Sequence, residues 1–249
     1  LAKAASYRSA GTVEFLYDEH TEKFYFLEVN TRLQVEHGIT EENMGVDLVE
    51  WMVKEAAGEL KGIEDRTFVP KGHAIEVRIY AEDCMNGFRP CGGKIDGVVF
   101  SDKARVETWI RKNMEVTSLY DPMLAKLIVH GKNREEALWK MREVLKESCI
   151  YGVTNNMQYL RALLHTEAYE QGKLFTKMLD NFAPEENALE VLDGGVQTTV
   201  QDYPGMVGYW TVGVPPCGPM DNYSFQIGNQ LLGNDRGAAG LEMTLRGGS

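Results

Sequence analysis

The sequence predicts an α+β chain in which a mixed strand-and-helix region is followed by the beginning of a mainly β region. Three observations carry this expectation. Two strand-like runs, Thr12–Tyr17 (TVEFLY) and Phe24–Val29 (FYFLEV), flank the short polar stretch DEHTEK, which is the pattern of a hairpin. Further along, segments that alternate with period two are interleaved with segments whose apolar residues recur at helical spacing. Past Ala188 the texture becomes Gly- and Pro-rich with short Val/Thr/Tyr runs, the pattern of strands joined by frequent turns.

Composition bounds the function classes. The chain has 249 residues, 43% hydrophobic and 25% charged, which is ordinary for a globular protein of one or two domains. A net charge of -11 argues against a nucleic-acid partner, which would want a basic surface. No apolar run approaches a membrane span, and LAKAASY lacks the charged start and apolar core of a signal peptide. Cys84, Cys91, Cys149 and Cys217 form no CxxC and do not cluster with His, so no zinc site is expected. Reduced thiols in a cytoplasmic protein are the simplest reading.

In the predicted hairpin the turn centre falls between His20 and Thr21, so cross-strand partners sum to about 41 or 42 and Glu14 should face Glu28. Two facing carboxylates either point into solvent or share a cation, and a divalent ion that also carries phosphate oxygens fits the second case. The stretch Phe24–His37 (FYFLEVNTRLQVEH) continues with a distinctive order. If it stays extended, one face carries Glu28, Asn30, Arg32, Gln34 and Glu36 in single file. That set mixes metal-type ligands, an anion-binding guanidinium and a possible base. If the chain turns after Asn30, the residues converge only through loop geometry.

Gly38–Glu42 reads as a loop. Asp47 is placed to cap a helix with apolar positions Leu48, Val49, Met52, Val53 and Ala56, expected to pack into the core, with Gly58 as its stop. Gly62–Pro70 reads as a linker. HAIEVRIYAED is an alternating strand with Ile75, Val77 and Ile79 on one face and Glu76, Arg78 and Tyr80 on the other. FRPCGGKIDGVVF is a turn feeding another strand, and Tyr120-Asp121-Pro122 precedes a short apolar strand, Met123–His130. Asn133 with Glu136 opens a helix whose buried stripe is Ala137, Leu138, Met141, Val144 and Leu145. Thr154 should start another, with Met157, Leu160, Leu163 and Leu164 inside. A domain junction falls in Leu174–Ala188, and Asn222–Leu232 reads as a short helix.

EFLYDEHTEKFYFLEVNTRLQVEH closely resembles the biotin carboxylase component of biotin-dependent carboxylases, an ATP-grasp family. The resemblance continues through GHAIEVRIYAED and LYDPMLAKL to about Thr176. It implies the C-terminal part of an ATP-grasp domain at 1–66 and a biotin carboxylase C-terminal domain at 67–176, followed by a linker at 177–187. It also implies ATP, Mg²⁺ or Mn²⁺, bicarbonate, biotin on a carrier domain of the same parent chain, and a homo-oligomer. Carried over by motif, Glu14 and Glu28 match metal- and ATP-binding carboxylates, with Asn30 as an auxiliary metal ligand. Arg32 matches the residue that holds bicarbonate, helped by Gln34 and the Val35 backbone. Glu36 matches the base that deprotonates bicarbonate, and Arg78 the residue that stabilises the biotin enolate. The implied chemistry passes through carboxyphosphate, which releases CO₂ for capture by biotin.

In the tail, VQTTVQDYPG, GYWTVGVPP and GPMDNYSFQIGN resemble the carboxyltransferase domain of the urea carboxylase family, so 188–249 is expected to be the N-terminal part of such a domain. Cys217 stands where the pattern has Ser, and Met206 where it has a basic residue. This resemblance implies carboxyl transfer to urea, giving allophanate. A related carboxylase acting on another small amide or guanidino compound is a second reading, and a non-catalytic interaction module a third. The Gly-rich lid of the ATP-grasp fold and a biotin-accepting MKM segment are not found in these residues. The 249-residue chain alone is therefore expected not to turn over ATP, and bicarbonate-dependent ADP release by it would contradict that expectation.

Overall fold

In a computed structural model, which describes residues 2–63, 65–180, 182–184 and 191–247, the two aromatic runs near the start pair as strands β1 (Thr12–Asp18) and β2 (Lys23–Asn30). Their antiparallel register runs Thr12↔Asn30, Val13↔Val29 and Glu14↔Glu28, then slips at a bulge after Glu14 to continue as Phe15↔Phe26. Asp18 closes the turn by accepting from the His20 amide and the Thr21 hydroxyl. Phe15 meets Phe26 edge-on and Tyr17 meets Phe24 across the ladder. All four rings stay exposed.

The extended path ends at Asn30, so the single-file geometry considered for Glu28 to Glu36 does not hold. Residues 31–36 form an irregular loop instead. A second departure follows: Gly38–Glu42, read as a loop, lies within helix α1 (His37–Met44). Gly and Thr are poor helix formers, and packing overrides their propensity. Gly38 is buried against the sheet, where an added Cβ would lie 2.3 Å from Ile128 Cδ1. Buried Glu41 accepts from the Leu48 amide at 2.7 Å, tying α1 to the next helix. That helix, α2 (Leu48–Ala56), is capped by Asp47, which accepts from the Glu50 amide at 2.7 Å. It stops before Gly58, whose φ of 71° is left-handed. Its predicted place in the core is not observed: no α2 residue is buried, and Val49 and Val53 are exposed.

The centre of this region is a three-stranded antiparallel sheet. Strands β3 (His73–Tyr80) and β5 (Arg105–Thr108) flank β6 (Met123–Gly131). A separate ladder pairs β4 (Gly97–Val99) with β7 (Cys149–Tyr151). One sheet face presents Ile75, Val77, Ile79, Leu127 and Val129. These residues share one core with Ala137, Leu138, Met141, Val144 and Leu145 of α3 (Arg134–Glu147). Asn133 caps α3 through the Glu136 amide, and the buried stripe is the one its spacing predicts. Helix α4 (Met157–Leu164) begins three residues after Thr154. The N-cap is Asn156 rather than Thr154, and Asn155 accepts from the amide of the first helical residue, Met157. Tyr159 is buried on α4 in addition to Met157 and Leu164.

The chain divides into two units, Leu1–Pro184 and Glu185–Ser249. Part of the predicted linker, and the predicted domain start at 188, lie outside the described residues. In the second unit β8 (Thr198–Gln201) pairs antiparallel with β9 (Gly240–Met243). Helix α5 (Asn222–Leu231) is capped by Asp221 and anchored by buried Asn229, which donates to the Arg236 and Ala238 carbonyls. The expected all-β texture is only partly present: GYWTVGVPP forms a 3₁₀ turn at Trp210–Val212, not a strand. All four cysteines are free thiols. Among the described residues no helix is long and apolar enough to cross a membrane.

Candidate active site

The hairpin register sets the first part of the site. Glu14 and Glu28 are directly opposed, and the Asn30 amide donates to both, at 2.7 Å to Glu14 and 3.0 Å to Glu28. Gln34 reaches back from the loop to donate to Glu14 at 2.6 Å. Two opposed carboxylates are the hard oxygen donors that a divalent cation takes, so the residues present fit such an ion. Arg32 makes only a long contact to the Leu33 carbonyl and has no carboxylate partner among the described residues. An exposed guanidinium left without an anion is suited to bind one from solution. Arg32, Gln34 and Glu36 line a shared cleft of about 610 Å³.

Glu36 occupies the N-cap position of α1, yet its side chain makes no cap. It turns instead to Arg78 of β3, 42 residues away, with Nη2 to Oε2 at 2.5 Å. Both residues border a second cleft of about 410 Å³, lined also by Ile39, Glu76, Arg134 and Tyr169. Thus Glu14, Glu28, Asn30 and Gln34 form one hydrogen-bonded group, Glu36 and Arg78 another, and the loop 31–36 joins them.

Sequence reasoning placed Glu76 and Arg78 on one face of β3 but missed the residues that surround them on the sheet beneath this loop. Arg78, Lys126 and Glu107 sit in one row across β3, β6 and β5. Lys126 is 5% exposed and donates to the Val35 carbonyl at 2.6 Å, with Glu107 at 2.6 Å on its other side. Burial alone would raise the Glu107 carboxyl, but hydrogen bonds from Lys126 and Arg105 outweigh it and hold it below the ordinary value. Glu76 has the opposite fate: both of its oxygens are buried without a hydrogen-bond partner. Its burial outweighs the attraction of Lys126 and Arg78 and pushes the carboxyl up. Asn156 clamps the end of β3 from behind, accepting from the Tyr80 amide at 2.9 Å and donating to the Arg78 carbonyl at 3.0 Å. The one visible signal for these residues was Lys126, a charge inside the apolar run MLAKLIVH. His37, Glu41 and Glu107 bring possible ligand atoms within 4.8 Å of one another. Arg105 pairs with both carboxylates and Lys126 with Glu107, so that cluster is already charge-compensated.

Comparison with known proteins identifies the class. Residues 76–181 match the biotin carboxylase C-terminal domain. Residues 1–62 match the ATP-binding domain of the carbamoyl-phosphate synthase L chain. Residues 212–249 match the carboxyltransferase domain, subdomain A and B. The chain therefore carries a biotin carboxylase region followed by the start of a carboxyltransferase domain. It is 49% identical over 247 residues to urea amidolyase of Lachancea kluyveri, which covers 99% of this chain and 14% of that protein. The crystal structure of the K. lactis urea amidolyase matches with a TM-score of 0.79 and 47% identity, over 99% of this chain and 15% of the other. The biotin carboxylase domain of Hydrogenobacter thermophilus 2-oxoglutarate carboxylase matches at 41% identity and a TM-score of 0.67, over 72% of this chain and 40% of that one. Over nearly its full length the chain is thus similar to urea amidolyase and urea carboxylase, and it spans about one seventh of the length of the urea amidolyases it matches.

Proposed function

We propose that this chain supplies the bicarbonate-activating part of an ATP-dependent biotin carboxylase. In the complete protein the reaction runs through carboxyphosphate, and the carboxyl group passes to urea to give allophanate. The observation that carries the reading is the position of Glu36, which meets Arg78 at one cleft and lines a second cleft with Arg32 and Gln34. The H. thermophilus relative was determined with MgADP and bicarbonate, which supports the same ligands here. The domain assignment that goes with this reading is ATP-grasp at 1–66, biotin carboxylase C-terminal domain at 67–176, linker at 177–187 and carboxyltransferase from 188.

Arg32 offers its planar fork to the bicarbonate anion, and Gln34 with the Val35 backbone adds hydrogen bonds that fix its orientation. Glu36 lies on the same loop and takes the bicarbonate proton as general base. Arg78 then has two partners in turn. In the resting site it pairs with Glu36. With a biotin ureido group bound, Arg78 would supply the fixed cation that stabilises negative charge on it. A divalent ion held by Glu14, Glu28 and Asn30 would supply neutralising charge to the phosphate oxygens.

The test is Glu36→Gln in the complete protein, with bicarbonate-dependent ADP release as the readout. Loss of a general base predicts a fall in kcat of about 10²–10⁴-fold with ATP affinity retained. Activity within threefold of wild type would refute the assignment.

A further inference from the structure

The loop that carries Arg32, Gln34 and Glu36 is irregular and starts at the end of an exposed hairpin. Its position therefore needs an external anchor. The Arg32 guanidinium contacts the chain only at the neighbouring Leu33 carbonyl. Gln34 is held by Glu14 at one end, and its carbonyl lies 2.8 Å from His37 Nδ1. Besides the Glu36–Arg78 pair, the loop is fixed to the sheet by the Lys126 ammonium on the Val35 carbonyl, a bond to the backbone from 91 residues away in sequence.

We propose that Lys126 is a positioning residue, which holds the Val35 carbonyl and thereby aims Glu36 at Arg78 and the bicarbonate site. Four facts support this. Lysine is rarely buried without a partner, and Lys126 lies mid-strand on β6 at 5% exposure. Its strand neighbours are Arg78 on one side and Glu107 on the other. Glu107 is itself braced by Arg105, which also pairs with Glu41 of α1. The carbonyl it grips belongs to the residue directly before Glu36, so a shift there is passed to Glu36 through one peptide unit.

The inference rests on Glu36 acting on bicarbonate, and the experiment separates the two. In the complete protein, Lys126→Met replaces the side chain by an unbranched one a single atom shorter and removes its donors. The expected result is a rise of about tenfold in the KM for bicarbonate, in line with the sensitivity of catalysis to small misplacements, with the KM for ATP unchanged. Hydrogen exchange of residues 31–37 should quicken while β3 and β6 keep their protection. Lys126→Arg should restore most of both. A folded Lys126→Met protein with bicarbonate KM within twofold of wild type and unchanged exchange at 31–37 would overturn the proposal. If Lys126→Met does not fold, Glu107→Gln carries the test, since it removes the brace and leaves the lysine. A raised bicarbonate KM then supports the proposal, and an unchanged one overturns it. Glu36→Gln is run beside these variants. If it keeps bicarbonate-dependent ADP release, the functional reading itself falls. If it is inactive while Lys126→Met behaves as wild type, only the role of Lys126 falls.

Discussion

Asn156 gives the sharpest test of how the Arg78 strand is held. Its side chain satisfies two backbone groups of β3, the Tyr80 amide at 2.9 Å and the Arg78 carbonyl at 3.0 Å, and the residue is 7% exposed. Asn156→Ala leaves both groups buried and unpaired. At about 1–3 kcal/mol for each orphaned group, with incomplete additivity, the local cost is about 2–4 kcal/mol. Native-state hydrogen exchange is the suitable assay, because it reads the local opening of β3 itself. Amides of residues 76–80 should lose protection by roughly 30- to 1,000-fold, at 1.4 kcal/mol per decade. Asn156→Asp sharpens the test. Its carboxyl keeps the bond from the Tyr80 amide, but when ionised it sets a negative oxygen against the Arg78 carbonyl. Burial and that carbonyl raise its folded pKa above the unfolded value of about 3.9. Between those two values the folded state binds more protons, so stability falls as pH rises through the window. The Asp variant should thus approach wild type near pH 4 and resemble the Ala variant at pH 7. Protection in Asn156→Ala within threefold of wild type, or a pH-independent Asp variant, would refute the clamp.

Two further outcomes follow from packing and charge. Gly38→Ala should destabilise the protein by about 1–3 kcal/mol through overpacking, because the new methyl would lie 2.3 Å from buried Ile128; a thermal midpoint equal to wild type would contradict this placement of α1. Glu76→Gln should leave stability at pH 7 unchanged or higher, since burial already raises the Glu76 carboxyl above its ordinary 4.5. A carboxyl raised in the folded state costs stability as pH climbs from its unfolded value through its folded one, so the Gln variant should decline less above pH 4.5 in thermal midpoints measured against pH.

The parts of the fold that were legible in sequence are those set by local rules. The hairpin register followed from turn length, and the α3 stripe and the Asn133 and Asp47 caps from spacing. What stayed hidden depends on distant partners. Helix α1 is built from weak helix formers and exists because Gly38 fits against Ile128 and Glu41 meets Arg105. Asn156 would ordinarily be read as a helix cap, but its side chain is spent on β3. On the candidate site, motif resemblance named Glu14, Glu28, Asn30, Arg32, Gln34, Glu36 and Arg78. It could not show that all of these but Arg32 fall into two hydrogen-bonded groups, because period-two alternation ends at Asn30.

That break has a physical consequence for how such a site can be built. A strand carried on to Glu36 would fix every polar side chain at regular intervals along one line. Leaving the strand at Asn30 lets Gln34 fold back to Glu14 while Glu36 goes forward to Arg78. The cost is a loop with little rigidity of its own. The sheet below offsets that cost by dividing its two faces: Val77, Ile79 and Leu127 face the α3 core, while Arg78, Lys126 and Glu107 face the loop. Strand alternation therefore does govern the site, but on β3 and β6 rather than along the segment that bears its most distinctive motif.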